Sequence, residues 1–123
     1  MKMKVNGKEI KWEDAPKGDF WTDVKVHTLW EDKKTGANLT LLKAPKSETP
    51  VMGAHAHPNA NEWSFYLAGD VETGDGTRAS ISADNTMFGF VAKGESHGKD
   101  AWKAIRETMW IRYHDGGSKR VQK

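Results

Sequence analysis

Turn signals recur roughly every ten residues along this chain, and the runs between them have the length and alternation of short β-strands. Asn6-Gly7, Asp14 to Gly18 around Pro16, Asp32 to Gly36, Pro45 to Pro50 and Asn59 to Asn61 punctuate the first half. Thr73 to Gly76, Asp84-Asn85, Gly94 to His97 and Gly116-Gly117 punctuate the second. Each is rich in residues that accept turn backbone angles. Strands this short cannot bury a face alone, so the pattern predicts an all-β sandwich or small barrel.

Alternation sets the expected faces. Phe20, Val24, Val26 and Trp30 fall on one face of a strand, with Asp23, Lys25 and His27 on the other. Further strands are predicted at Asn38 to Lys43, Val51 to His57, Glu62 to Leu67, Met87 to Ala92, Ala101 to Ile105 and Met109 to His114. A hairpin is expected over Val71 to Ile81. The Asn-Gly pair at Asn6-Gly7 predicts a tight hairpin near the N-terminus, because both residues tolerate positive φ. The expected organisation is a hairpin arm over 1–18, one barrel over 19–115 and a flexible basic tail over 116–123, in which Lys119, Arg120 and Lys123 are solvated. A chain of 123 residues favours one core, and six Trp and four Phe supply the apolar area for it.

The 19 basic and 17 acidic side chains give a net charge of +2, without the basic stripe that duplex binding requires, so no nucleic-acid partner is expected. The absence of cysteine excludes disulfides, thiolate ligands and a Cys nucleophile. Met1 to Trp12 has no apolar core of a signal peptide, and no run reaches membrane-spanning length. These features lead to the expectation of a cytoplasmic protein with no membrane partner.

The chemistry concentrates in His55-Ala56-His57. One intervening residue on a strand points both imidazoles to one face, a chelating arrangement. Glu62 opens the next strand after a short turn, where its carboxylate can return beside them. His97 lies three residues after Gly94, in a turn placed to bring a further imidazole from across the barrel. Three imidazoles and one carboxylate suit one borderline divalent metal ion: Fe, Ni, Zn, Mn or Co. His27 and His114 stand outside this set and are given no role.

The stretch His55-Ala56-His57-Pro58-Asn59-Ala60-Asn61-Glu62-Trp63-Ser64-Phe65-Tyr66-Leu67-Ala68-Gly69 resembles the first motif of the cupin superfamily in its His, His, Glu and Gly spacing. Ala92-Lys93-Gly94-Glu95-Ser96-His97 resembles the second motif in its Gly and His. Ala92 stands where the family has Pro, Ala101 where it has Asn, and Thr49 where an upstream Gly is usual. The resemblance implies a cupin jelly-roll β-barrel, or double-stranded β-helix, and His55, His57, Glu62 and His97 as metal ligands. Trp30-Glu31-Asp32, Thr35-Gly36-Ala37-Asn38 and Leu39-Thr40-Leu41-Leu42 are similar to a narrower group, which holds anti-sigma-factor cupin domains and small-diketone and hydroxyacetophenone dioxygenases.

That resemblance implies a dioxygenase-type oxidoreductase, with iron, acting on a small organic carbonyl or phenolic compound. Two alternatives stand beside it. One is a metal-dependent lyase or isomerase on a small acid or sugar, and the other is a metal or ligand sensor without turnover. Ser64 and Tyr66 share the face of Glu62 and are the candidate catalytic residues, with Tyr66 suited to donate or move a proton. Trp63, Phe65 and Leu67 face outward, and such a stripe predicts either cover by the N-terminal arm or a homodimer.

Overall fold

The computed structural model describes residues 5–122, nearly all of it strand and loop. The strands are β1 (Glu13–Asp14), β2 (Lys25–Glu31), β3 (Asn38–Ala44), β4 (His55–Ala56), β5 (Glu62–Glu72), β6 (Arg78–Ile81), β7 (Phe88–Val91), β8 (Lys103–His114) and β9 (Val121–Gln122). The main antiparallel sheet runs β1-β2-β3-β8-β5-β6, with β7 also paired to β5, while β4 and β9 form a separate two-stranded sheet. Among the described residues no helix is long and apolar enough to cross a membrane.

The register of β3, β8 and β5 stacks the inward side chains in layers. Leu42, Trp110 and Tyr66 make one layer; Thr40, Arg112 and Ser64 the next; Asn38, His114 and Glu62 the third. The first layer belongs to the core, where Val24, Leu42, Val51, Val71, Ile81, Trp102 and Trp110 pack together. Trp102 meets Trp110 edge-on at 5.1 Å, and Tyr66 stacks on Trp110 at 6.0 Å. The interior thus passes from apolar to polar within three alternating positions of each strand.

Several strand expectations need correction. A bulge between Thr28 and Trp30 shifts the pairing of β2 with β3. Trp30 is therefore turned to the face opposite Thr28 and Val26, because an extra residue reverses the alternation beyond it. The segment before β4 is held by single hydrogen bonds, Trp21 N–H to Val51 C=O and Val51 N–H to Trp102 C=O, both 2.9 Å, so the strand expected from Val51 contracts to His55–Ala56. The two strands predicted over residues 101–114 are one 12-residue strand, which follows β5 through three register shifts. Gly69 does not end β5. Its φ of +135° and its close approach to Thr108 let the two strands stay paired there, where a Cβ would fall 2.2 Å from Thr108 Oγ1.

The N-terminal hairpin does not form in the described residues. Asn6 instead caps a 3-10 turn over Gly7–Glu9, accepting from Lys8 N–H, and neither Asn6 nor Gly7 takes a positive φ. Met1 to Lys4, the rest of that expected arm, lie outside the described residues. The arm reaches the outer face of β2 and β3, where Trp12 lies under the Lys43 ammonium at 4.4 Å and Lys11 N–H meets His27 Nδ1 at 3.3 Å.

The expected flexible tail is also corrected. Ser118 hydrogen-bonds to Asn38 and His114, Arg120 is only 6% exposed in its side chain, and Val121–Gln122 pairs with β4. Gly116 lies so close to Asn59 that a Cβ would fall 2.0 Å from its carbonyl oxygen. Lys119 is exposed as expected, and Lys123 lies outside the described residues.

Candidate metal centre

Four segments bring imidazoles and one carboxylate together. Antiparallel pairing joins His55 directly to His97, each N–H donating to the other's C=O at 2.8 Å. His97 is thus the neighbour of His55 rather than a residue reaching from across the barrel. The His55 and His57 rings lie 5.0 Å apart, His55 and His97 4.1 Å, and His57 and His97 5.3 Å. Glu62, at the start of β5, places Oε1 3.4 Å from His57 Nε2 and Oε2 3.3 Å from His97 Nε2. Asn61 anchors the turn before it, donating its N–H to Asp115 Oδ1 at 2.7 Å and accepting Lys93 N–H at 2.7 Å.

Hydrogen bonds on the far side of two rings decide which nitrogen faces inward. His55 Nδ1 lies 2.8 Å from Gly53 C=O, and His57 Nδ1 lies 3.2 Å from both Ser118 C=O and Lys119 C=O. A carbonyl only accepts, so each Nδ1 carries the proton and each Nε2 presents a lone pair. Both Nε2 atoms are buried without any hydrogen-bond partner. Burial, against the Gly53 hydrogen bond, brings the His55 pKa down to about 4, which keeps this imidazole neutral near pH 7. Gly98 makes the arrangement possible: at φ +90° it passes close to Gly53, and a Cβ there would sit 2.4 Å from the Gly53 oxygen that holds His55.

Burial would raise the Glu62 pKa, but the hydrogen bond from His114, with the close approach of the His57 and His97 imidazoles, outweighs it and holds the carboxyl well below its ordinary range. The two contacts of Glu62 also have the spacing of donors on one ion. Atoms bound to one ion at about 2.1 Å sit about 3.0–3.5 Å apart when adjacent, and the Glu62 contacts of 3.3 and 3.4 Å fall there. The donor atoms of His55, His57 and His97 lie within 4.8 Å of one another, and those of His57, Glu62 and His114 form a second such group that shares only His57 with the first. Orphaned lone pairs, neutral imidazole and an ionised carboxylate together fit a divalent metal.

His114, unassigned from the sequence, is fully buried. Its Nε2 lies 2.7 Å from Glu62 Oε1 and its Nδ1 2.6 Å from Ser118 Oγ. An ionised carboxylate cannot donate, so Nε2 carries the proton, and Ser118 donates to Nδ1. The network behind agrees: Asn38 Nδ2 donates to Gly36 C=O at 3.0 Å and to Ser118 Oγ at 2.8 Å, while Asn38 Oδ1 accepts from Thr40 at 2.9 Å. Burial lowers the His114 pKa to about 4, more than Glu62 raises it, so the ring is a neutral donor.

A cavity of about 260 Å³ opens beside the cluster, lined by His55, Glu62 and His97 and by Ser64, Tyr66 and Trp102 among others. Both candidate catalytic residues therefore line it. The Tyr66 hydroxyl accepts from Trp102 Nε1 at 2.7 Å, which leaves its own proton free, and burial pushes its pKa up to about 12. His27 lies apart, against Lys11. The sequence reading missed Arg112 and Arg120, which also line this cavity. Alternation from Trp110 through His114 would have placed Arg112 inward, whereas nothing local in the tail marks Arg120.

No family model matches this chain, and no curated protein matches it. Solved structures do. The acetylacetone dioxygenase of Acinetobacter johnsonii aligns over 94% of this chain and 74% of its own, with a TM-score of 0.65 and 16% identity. The polyketide cyclase RemF from Streptomyces resistomycificus aligns over 99% and 85%, with a TM-score of 0.65 and 18% identity. An RmlC-like cupin from Shewanella frigidimarina aligns over 94% and 93%, with a TM-score of 0.61 and 15% identity. With its all-β sheet order and these neighbours, the chain has the cupin fold.

Proposed function

We propose that this protein is a metal-dependent cupin enzyme, with His55, His57, Glu62 and His97 holding one divalent metal ion, and that it acts as a dioxygenase on a small carbonyl or phenolic compound. The observation that carries the metal is the pair of buried Nε2 lone pairs on His55 and His57, without partners and beside an ionised Glu62. The metal supplies a Lewis-acidic centre and, as iron, an electron route to dioxygen. His114 holds Glu62 in place without ligating. Tyr66 and Ser64 meet the substrate from the cavity wall, with the Tyr66 proton directed to a substrate oxygen. The cavity is small and mostly apolar, which suits a small organic molecule.

The dioxygenase reading draws support from fold neighbours that include an acetylacetone dioxygenase. A cyclase and a predicted oxalate decarboxylase also share the fold, and this keeps the lyase or isomerase reading as the competitor. Elemental analysis and oxygen uptake test the proposal together. One metal per chain is expected, lost in His55→Ala and His57→Ala, with oxygen consumed by the iron-loaded protein on a diketone, 2-oxo acid or phenol. Full occupancy in either variant refutes the metal assignment. Product without oxygen uptake favours the lyase, and binding without product favours the sensor.

The outer face supports a homodimer. Trp63 packs on Phe90 at 5.1 Å and Phe65 stacks with Phe88 at 6.4 Å, while Phe88 remains 78% exposed and Phe90 54%. A second copy of this chain across the patch is the proposed cover, since the N-terminal arm contacts β2 and β3 instead.

A further inference from the structure

Arg112 has a position that the metal alone does not explain. It points inward from the middle layer, between Thr40 on β3 and Ser64 on β5, and lines the cavity beside the metal cluster as well as the adjoining one. Its Nε is buried without a hydrogen-bond partner. Among the described residues no carboxylate pairs with it, and Glu62 and Asp19 favour its charge only from a distance. An arginine does not escape by losing its proton. A guanidinium with a buried Nε and no direct counter-ion is costly, and an anionic ligand in the cavity would complete the pair.

The surrounding charges sharpen the point. Arg120 folds in from the C-terminal segment, donates from one terminal nitrogen to Asp19 C=O at 2.5 Å, and holds its Nε 3.6 Å from Asp19 Oδ2. Its guanidinium lies 4.5 Å from the Phe20 ring centre. Arg120 is thus compensated by Asp19, while the charge of Glu62 would be committed to the proposed metal. Without a metal these two guanidiniums and two carboxylates balance, yet Arg112 keeps no direct partner, and the proposed dication would leave the cavity positive. The remaining wall is largely apolar, with Met52, Met87, Val91, Trp102 and Trp110, and carries no carboxylate other than Glu62.

We infer that the cavity takes a small carboxylate, its anionic group held by Arg112 and its neighbouring carbonyl directed toward the His and Glu cluster. The inference rests on the metal-dependent reading for the second contact and on Arg112 alone for the first. A guanidinium presents a planar fork that matches a carboxylate through two parallel hydrogen bonds. A short 2-oxo acid, with adjacent carbonyl and carboxylate, has that chemistry within the size of the cavity, about 260 Å³.

The test compares isosteres. Pyruvate and benzoylformate are titrated against diacetyl and 1-phenylpropane-1,2-dione, in which a methyl group replaces one carboxylate oxygen, by calorimetry at fixed ionic strength. Wild type, Arg112→Gln and Arg112→Lys are measured with and without zinc, and Arg78→Gln, an exposed guanidinium paired with Glu72, serves as control. The acids should bind at least tenfold more tightly than their neutral partners. Arg112→Gln should abolish that preference, Arg112→Lys recover part of it, and Arg78→Gln leave it intact.

Equal affinities for acid and diketone, a preference unmoved by Arg112→Gln, or no acid binding at millimolar concentration each overturns the inference. An Arg112-dependent preference in protein that takes up no zinc would keep the anion site and remove the metal reading. Zinc uptake without any acid preference would do the reverse.

Discussion

Replacing His114 with alanine separates a ligand from a residue that positions one. The imidazole is completely buried, donates from Nε2 to Glu62 Oε1 at 2.7 Å, and accepts at Nδ1 from Ser118, 2.6 Å away. Its proton therefore occupies the nitrogen that would have to bind a metal. Loss of a hydrogen bond to a charged acceptor costs about 1.5–3 kcal/mol. Part of that cost reaches the metal through a carboxylate free to rotate, and loss of an outer partner of a ligand lowers metal affinity by roughly 10–100-fold. His114→Ala should keep one metal per chain with affinity weakened in that range. His114→Gln, whose amide nitrogen can restore the donor to Glu62, should stay within about threefold of wild type, since the charged hydrogen bond is retained.

Zinc competition against a chromophoric chelator measures the affinities, and the visible spectrum of the cobalt-substituted protein reads the donor set. In ¹⁵N-histidine spectra the His114 Nε2 proton should persist after zinc is added, whereas the Nε2 lone pairs of His55 and His57 become bound. Three results would refute the reasoning: metal lost from both His114 variants, unchanged affinity in His114→Ala, or deprotonation of His114 Nε2 on metal binding. The first and third would make His114 a ligand. The second would mean that Glu62 is held by its other neighbours alone.

Two further outcomes follow from the geometry. Tyr66→Phe keeps the ring that stacks on Trp110 and removes only the hydroxyl that accepts from Trp102; metal content should be unchanged and kcat should fall about a hundredfold or more, the lower end of the usual effect of a positioned proton donor. Loss of metal or of the fold would show that the hydroxyl is structural, and unchanged turnover would transfer the role to Ser64. Light scattering at high micromolar concentration should report a dimer that Phe88→Ser dissociates, because Phe88 stands most exposed in the aromatic patch; a monomeric wild type would refute the pairing.

The local part of the site was legible because its chemistry is local. His55 and His57 sit on one face through strand alternation, and Glu62 follows after a turn of fixed length. The all-β class was legible for the same reason, as turn residues and alternating runs depend on nearest neighbours. Inward placement of Ser64 and Tyr66 followed from the period of two counted from Glu62. Where alternation failed, as at Trp30, one extra residue in β2 reversed it, and no residue type there marks a bulge.

The sequence by itself determined which donors exist, their spacing within each segment and the β-strand habit of the chain. Tertiary structure decided which distant segments meet. His57 is oriented by carbonyls of Ser118 and Lys119, more than sixty residues away, and Glu62 by His114, which layers beside it only because β5 and β8 pair in one register. The basic C-terminal segment reads as solvated tail by composition, yet it carries Arg120 into the cavity and Ser118 onto His114. Buried polar groups need partners from wherever the chain returns, and that return is a property of the sheet pairing as a whole, written in no short stretch of residues.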